Sequence, residues 1–184
     1  MRWLQAADYL RTPWKNGGGS TLEVCRDQGE GLEGFGWRLS IADIAEAGPF
    51  SSFSGYERII TVLEGQGMVL QVDGRCSGPL RAFEPFEFSG HSQVSCELIG
   101  GPIRDFNLIY APARYQARLQ WLATSAPVRL AETAATRVVF AVEPQVRVEV
   151  AGNITTLGQY DTLLLDGHAV SVNGRCAVIE LQPR

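Results

Sequence analysis

Leu80-Arg81-Ala82-Phe83-Glu84-Pro85-Phe86-Glu87-Phe88-Ser89-Gly90-His91 recurs 77 residues downstream as Leu157-Gly158-Gln159-Tyr160-Asp161-Thr162-Leu163-Leu164-Leu165-Asp166-Gly167-His168. Leucine, aromatic, acid, an alternating apolar pair and Gly-His return in the same order. Upstream, Val72-Asp73-Gly74 is answered by Val150-Ala151-Gly152 with one residue of slippage. Strict alternation is the period of a β-strand, and a unit that returns at a fixed offset is the mark of a structural repeat. The reading is a duplicated β unit. A second echo, Val72-Asp73-Gly74-Arg75-Cys76 against Val172-Asn173-Gly174-Arg175-Cys176, conflicts in register with the first. Asp-Gly and Asn-Gly are both hairpin dipeptides, and turn chemistry accounts for it without common origin.

Working outward, strand patterns cover residues 37–41, 58–63, 67–72, 83–88, 94–99, 106–110, 138–142, 146–150, 162–165 and 176–181. They are short and punctuated by Gly, Pro and Asp-Gly, as in a sandwich or barrel. Helix is confined to Ala6 to Leu10 and a turn near Pro112 to Tyr115, each too short to carry a fold. The class is all-β, with two barrels or sandwiches in one chain: residues 1–111 holding the candidate pocket, and 112–184 packed with it as one compact unit. Ala111 to Glu132 is richer in Ala, Arg, Pro and Thr and reads as the connection.

A 45% hydrophobic content excludes disorder, and a net charge of -4, from 16 basic and 20 acidic residues, offers no basic stripe for nucleic-acid phosphates. The N-terminus lacks the apolar core of a signal peptide, and no run reaches membrane-spanning length, so the expected location is the cytoplasm. In that reducing setting Cys25, Cys76, Cys96 and Cys176, with no CxxC among them, read as core or edge residues. Asn153-Ile154-Thr155 is then a chance glycosylation sequon.

Several familiar motifs fail on context. Trp14-Lys15-Asn16-Gly17-Gly18-Gly19-Ser20-Thr21 has its lysine before the glycines and a strand after them, the reverse of a phosphate loop. Gly29-Glu30-Gly31-Leu32-Glu33-Gly34 matches a dinucleotide fingerprint but runs into a strand, and so reads as a hairpin loop. Metal sites in small β-barrels need converging imidazoles. Here the two histidines, His91 and His168, fall at equivalent places in different repeats, so no metal and no cofactor is expected. No GxSxG elbow is present.

What remains is polarity planted in apolar strands. In Trp37-Arg38-Leu39-Ser40-Ile41-Ala42-Asp43 the alternation sends Arg38 and Ser40 to one face; in Asp105-Phe106-Asn107-Leu108 it does the same for Asp105 and Asn107. Either face is a solvated surface or a site. Arg58 opens an apolar strand after Phe50-Ser51-Ser52-Phe53, where an unpaired arginine is costly and its planar fork suits a carboxylate. Pairing with Asp105 or Glu57 is the structural alternative.

Trp14 to Val24 (WKNGGGSTLEV), Phe35 to Ile44 (FGWRLSIADI), Gly48 to Gly65 (GPFSSFSGYERIITVLEG) and Asp105 to Tyr110 (DFNLIY) together resemble, in order and spacing, the HutD/Ves family of bacterial cupin-like proteins. The resemblance implies a bicupin, which agrees with the repeat. Its HutD branch is associated with histidine utilisation, as a brake on that pathway through binding of a carboxylate-bearing intermediate: urocanate, or a formylated or formiminated glutamate. Carried over by motif, the pocket draws on Trp14, Lys15, Asn16, Arg38, Ser40, Phe50, Arg58, Asp105 and Asn107, with no catalytic residue assigned.

The functional expectation is a metal-free binding protein for a small anionic metabolite, with neither direct nucleic-acid nor membrane contact. Its barrel edges are compatible with a homodimer. Two alternatives stay open: a cofactor-free isomerase or hydrolase acting on such an intermediate, and a regulatory protein-interaction module.

Overall fold

The computed structural model describes residues 1–29, 34–132 and 134–184. The dinucleotide-like motif at Gly29 to Gly34 lies mostly outside the described residues. In chain order the strands are β1 (Arg2–Leu4), β2 (Leu10–Pro13), β3 (Gly19–Arg26), β4 (Trp37–Ile44), β5 (Gly48–Pro49), β6 (Glu57–Glu64), β7 (Met68–Val72), β8 (Arg75–Leu80), β9 (Phe86–Ser89), β10 (Val94–Leu98) and β11 (Ile103–Tyr110). There follow β12 (Tyr115–Leu130), β13 (Thr136–Ala141), β14 (Val146–Val150), β15 (Asn153–Leu157), β16 (Thr162–Asp166) and β17 (Val170–Pro183). Among the described residues a single 3-10 turn, Ala6–Asp8, supplies the helix, and no helix is long and apolar enough to cross a membrane. The chain is all-β.

It divides into two compact units, Leu10–Ala113 (the first unit) and Met1–Tyr9 with Arg114–Arg184 (the second). The first unit holds a six-stranded sheet, β2-β3-β4-β11-β6-β9, and a four-stranded one, β5-β10-β7-β8. Apolar side chains of both sheets meet in one core: Ile60, Val62 and Phe88 from the larger, Met68, Leu70 and Cys96 from the smaller. The second unit is one curled sheet, β1-β16-β13-β17-β14-β15, with β12 added along β17. Val146, Val148 and Val150 show the period-two alternation that lines its core with Leu163, Leu165 and Val172.

The 77-residue echo is a repeated turn. Phe83 and Tyr160 both adopt left-handed backbone, at φ 65° and 66°. The Phe83 amide donates to the Val62 carbonyl (3.0 Å) and the Tyr160 amide to that of Ala141 (2.7 Å). The following acid then closes each turn: Glu84 accepts from the Arg81 amide at 2.9 Å, and Asp161 from the Gly158 amide at 3.0 Å. The hairpins upstream match too, with positive φ at both central residues of Asp73-Gly74 (48°, 78°) and Ala151-Gly152 (49°, 82°). That pair of angles fits the right-handed twist of the flanking strands.

Four expectations change. The strand expected from Phe83 starts at Phe86, because left-handed Phe83 and the proline after it cannot join a ladder. The segment read as a connection is mostly β12, a 16-residue strand paired with β17; its first half alternates half-buried apolar with exposed polar side chains, and its second half loses that alternation. Asn173-Gly174 is no hairpin, but lies inside β17 where the β12 register shifts. Residues Met1–Tyr9 belong with the C-terminal half: β1 pairs with β16, and Asp161 accepts from Trp3 Nε1 (3.1 Å) and from the Ala6 amide (2.9 Å).

Asp161 thus serves both the repeated turn and the N-terminal strand. Replacing it with alanine orphans three donors, and charged hydrogen bonds of this kind contribute roughly 1.5–3 kcal/mol each. Asp161→Ala is expected to lose about 3 kcal/mol in urea unfolding; a loss under about 1 kcal/mol would show that water replaces the carboxylate without penalty.

Candidate functional site

The site is built by register. β11 lies between β4 and β6, and residues directly opposite on antiparallel neighbours project to the same face. Three rows result: Arg38-Ile109-Arg58, Ser40-Asn107-Ile60 and Ala42-Asp105-Val62. Glu23 on β3 stands opposite Ser40, and Phe88 on β9 opposite Arg58. The face is not solvated, since Arg38, Ser40, Arg58, Asp105 and Asn107 are all buried. The reverse face, with Leu39, Ile41, Phe106 and Leu108, is buried as well. Alternation here separates a polar interior face from an apolar one, and solvent lies on neither.

Arg58 is 6% exposed. Its guanidinium carbon lies 5.3, 5.4 and 4.9 Å from the ring centroids of Phe50, Phe53 and Phe88, within cation-π range of all three. Nη2 donates to Asn107 Oδ1 at 2.8 Å and Nη1 to the Ser51 carbonyl at 3.2 Å, while Nε has no partner. Burial pulls its pKa down to about 10 against the opposing pull of Asp105, with Arg38 lowering it further; the group stays charged at neutral pH.

Asp105 is fully buried. Its Oδ1 accepts from Asn107 Nδ2 at 3.0 Å and its Oδ2 accepts from nothing. Burial pushes its pKa up to about 7, only partly countered by the Asn107 bond and the Arg58 charge. The expected alternatives, a direct pairing of Arg58 with Asp105 or Glu57, are not what holds the arginine: Asn107 relays between Arg58 and Asp105. Two buried polar atoms, one donor and one acceptor, are left open on the same face.

At the more exposed end, Glu23 collects two arginines. Arg38 Nε donates to its Oε2 at 2.9 Å, and Arg26 Nε to its Oε1 at 2.6 Å, with a further short contact from Arg26 Nη2 to Oε2. Burial raises the Glu23 pKa, but those bonds outweigh it and hold the carboxylate below its usual range. Glu23 and Phe88 were not singled out from sequence. Alternation from Thr21 puts Glu23 on the inner face, a signal present in the strand; Phe88 needed the β6-β9 register.

The glycine loop is the hairpin between β2 and β3. Trp14 Nε1 donates to Thr21 Oγ1 at 2.8 Å, and its ring packs on the core that includes Ala42. Asn16 Oδ1 accepts from the Gly18 amide at 3.1 Å, an Asx turn followed by Gly17 at φ 76°. Lys15 is exposed. Of the nine expected pocket residues, Arg38, Ser40, Phe50, Arg58, Asp105 and Asn107 thus gather around one face and Trp14 closes its side, while Lys15 and Asn16 belong to the hairpin tip.

Elsewhere in this unit, Asp43, Glu64, Gly65, Pro102 and Arg104 line a shallow depression. Its charges answer one another, Asp43 accepting from Arg11 and Arg104 at 2.6 Å each. Among the described residues no group of three or more His, Cys, Asp or Glu could hold a metal.

The HutD family model matches residues 6–179. The chain belongs to the HutD family. It is 57% identical, over its whole length and 98% of the relative, to a 21.2 kDa protein of the hutC 3′ region of Pseudomonas putida. Among solved structures it is similar to HutD from Pseudomonas fluorescens SBW25, with 56% identity, 100% and 98% of the two chains covered and a TM-score of 0.88. A conserved protein of Pseudomonas aeruginosa PAO1 shares 49% identity over 98% of each chain, with a TM-score of 0.96. At 7% identity and a TM-score of 0.58, a cupin 2 barrel protein from Leptotrichia buccalis shares the fold alone. This member of the HutD family is therefore cupin-like in its β architecture.

Asp105 gives this HutD-family site a pH signature. Its ordinary pKa is 3.8 and burial moves it to about 7, so between those values the folded protein holds a proton that the unfolded chain releases. Its contribution to stability is present in acid, declines as pH rises through that window and is gone above it. The stability of the parent relative to Asp105→Asn, read by urea unfolding at successive pH values, is expected to fall across the window and level off above it. A difference independent of pH would show that Asp105 is ionised throughout.

Proposed function

We propose that the first unit of this bicupin binds a small carboxylate-bearing metabolite in the cytosol, and that it modulates histidine utilisation by sensing an intermediate such as urocanate, formylglutamate or formiminoglutamate. One observation carries the reading: a buried, charged Arg58 under three phenylalanines, with no carboxylate of its own and an open Nε-H. Burying such a charge costs several kcal/mol unless an anion compensates it. Its planar fork matches a carboxylate in two parallel bonds. Family membership and the hutC neighbourhood of the Pseudomonas putida relative support the link to histidine utilisation.

The test is calorimetric titration of the full chain with each of the three acids. At least one is expected to bind with a dissociation constant below about 1 mM, and Arg58→Gln to weaken it about 100-fold, as loss of a buried charge partner does. Absence of binding by all three at millimolar concentration overturns the proposal.

A second reading is favoured by Asp105. A buried carboxyl with its pKa near 7 is suited to moving a proton at neutral pH, the requirement for a cofactor-free isomerase or hydrolase. Incubation with the same acids, followed by proton NMR, is its test. Turnover that Asp105→Asn abolishes while binding persists selects the enzyme; unchanged acids recovered after prolonged incubation select the binder.

A further inference from the structure

The two repeats can be aligned residue by residue, because the same turn fastens to each: Phe83 to the Val62 carbonyl, Tyr160 to that of Ala141. Four residues back along β6 and β13, Arg58 corresponds to Arg137. Cross-strand partners agree, since Arg58 stands opposite Phe88 and Arg137 opposite Leu165, which are themselves 77 residues apart as the echo requires. On the other side Arg58 faces Ile109, which faces Arg38; Arg137 faces Glu180, which faces Arg118. The row Arg38-Ile109-Arg58 of the first unit therefore returns in the second as Arg118-Glu180-Arg137.

The rows keep both arginines and differ in what lies between them. In the second unit the Glu180 carboxylate fills the gap: Arg137 Nη2 donates to its Oε1 at 2.6 Å, and Arg118 Nη1 lies 4.0 Å from its Oε2. Arg137 also donates to the carbonyls of His168 (2.8 Å) and Ala131 (2.5 Å). In the first unit the intervening residue is apolar; Arg38 turns its Nε to Glu23 at 2.9 Å, and its charge still lowers the pKa of Arg58. The next rows invert as well. Asn107 and Asp105 of the first unit correspond to Val178 and Cys176 of the second, both in its apolar core.

We infer that the ligand carboxylate in the first unit takes the place that the Glu180 carboxylate fills in the second, between Arg58 and Arg38 and over Ile109, so that the second unit is a copy of the site closed by its own side chain. The inference rests on the carboxylate-binding reading above and assigns Arg38 and Ile109 as its specificity-determining residues. A ligand held this way is a carboxylate bridging two guanidinium groups. Asn107 and Asp105, deeper on the same face, are left to meet polar groups on the rest of the molecule.

The test uses the full chain with sodium formate, the simplest carboxylate, and N-formyl-L-glutamate as probes, read by calorimetry and thermal unfolding. Ile109→Glu installs in the first unit the carboxylate that the second already carries. It is expected to weaken both probes at least about 100-fold, the scale for an occupied charge partner, and to remove the formate-induced rise in unfolding temperature. Arg38→Gln, which places no new group in the interior, is expected to weaken them at least about tenfold and keeps the question decidable if the glutamate variant does not fold. Parent-like affinity in folded Ile109→Glu, or a change under about threefold in Arg38→Gln, overturns this placement while leaving carboxylate binding intact. Failure of the parent to bind either probe at millimolar concentration overturns this placement, and overturns carboxylate binding as well if urocanate and formiminoglutamate also fail to bind.

Discussion

A guanidinium withdrawn from water must find its compensation inside the protein, and Arg58 finds only part of it. Three aromatic faces and two carbonyl oxygens surround the charge, yet Asp105 is reached only through Asn107, and Glu23 on the same face is engaged by Arg38 and Arg26. The arrangement is stable only because β4, β11 and β6 are locked in register by their ladders, with both faces of the sheet buried at these rows. Packing thus supports a polar strip that is incomplete by itself. An open Nε-H and an open Oδ2 are what such a scaffold leaves for a ligand.

The repeated turn supplies the internal comparison. Both units use the same turn, the same hairpin backbone and an arginine at the same register position, but they settle its charge differently. In the second unit Glu180 and two main-chain carbonyls accept from the terminal nitrogens of Arg137, and valine and cysteine occupy the remaining rows. The same skeleton therefore carries one closed ion pair and one open site. The polarity of the residue facing the arginine across the strand, glutamate in one unit and isoleucine in the other, makes that difference.

Most of the candidate site was visible in the strands. Alternation alone set Arg38 with Ser40 and Asp105 with Asn107, because side chains in a strand have a period of two whatever surrounds them. It left open which face meets water, and that depends on what packs above each side. Lys15 and Asn16, carried into the pocket by motif, lie at a hairpin tip, where Asn16 accepts from the Gly18 amide. Glu23 became part of the site only when β3 paired with β4, and Phe88 when β9 paired with β6.

By itself the sequence determined the all-β class and the turn repeated at a 77-residue offset, since these depend on local periodicity and on backbone angles that a few residues dictate. The strand β12 escaped although residues 115–121 alternate apolar with polar side chains, because its apolar face is only half-buried and its second half loses the alternation. Only the tertiary structure decided that Arg58 and Asp105 are buried together yet bridged through Asn107, that residues 1–9 join the C-terminal half, and that Ile109 stands where the other repeat has Glu180. Those facts arise from register between strands distant in the chain. Register is settled by the packing of whole faces, which no short stretch of sequence contains.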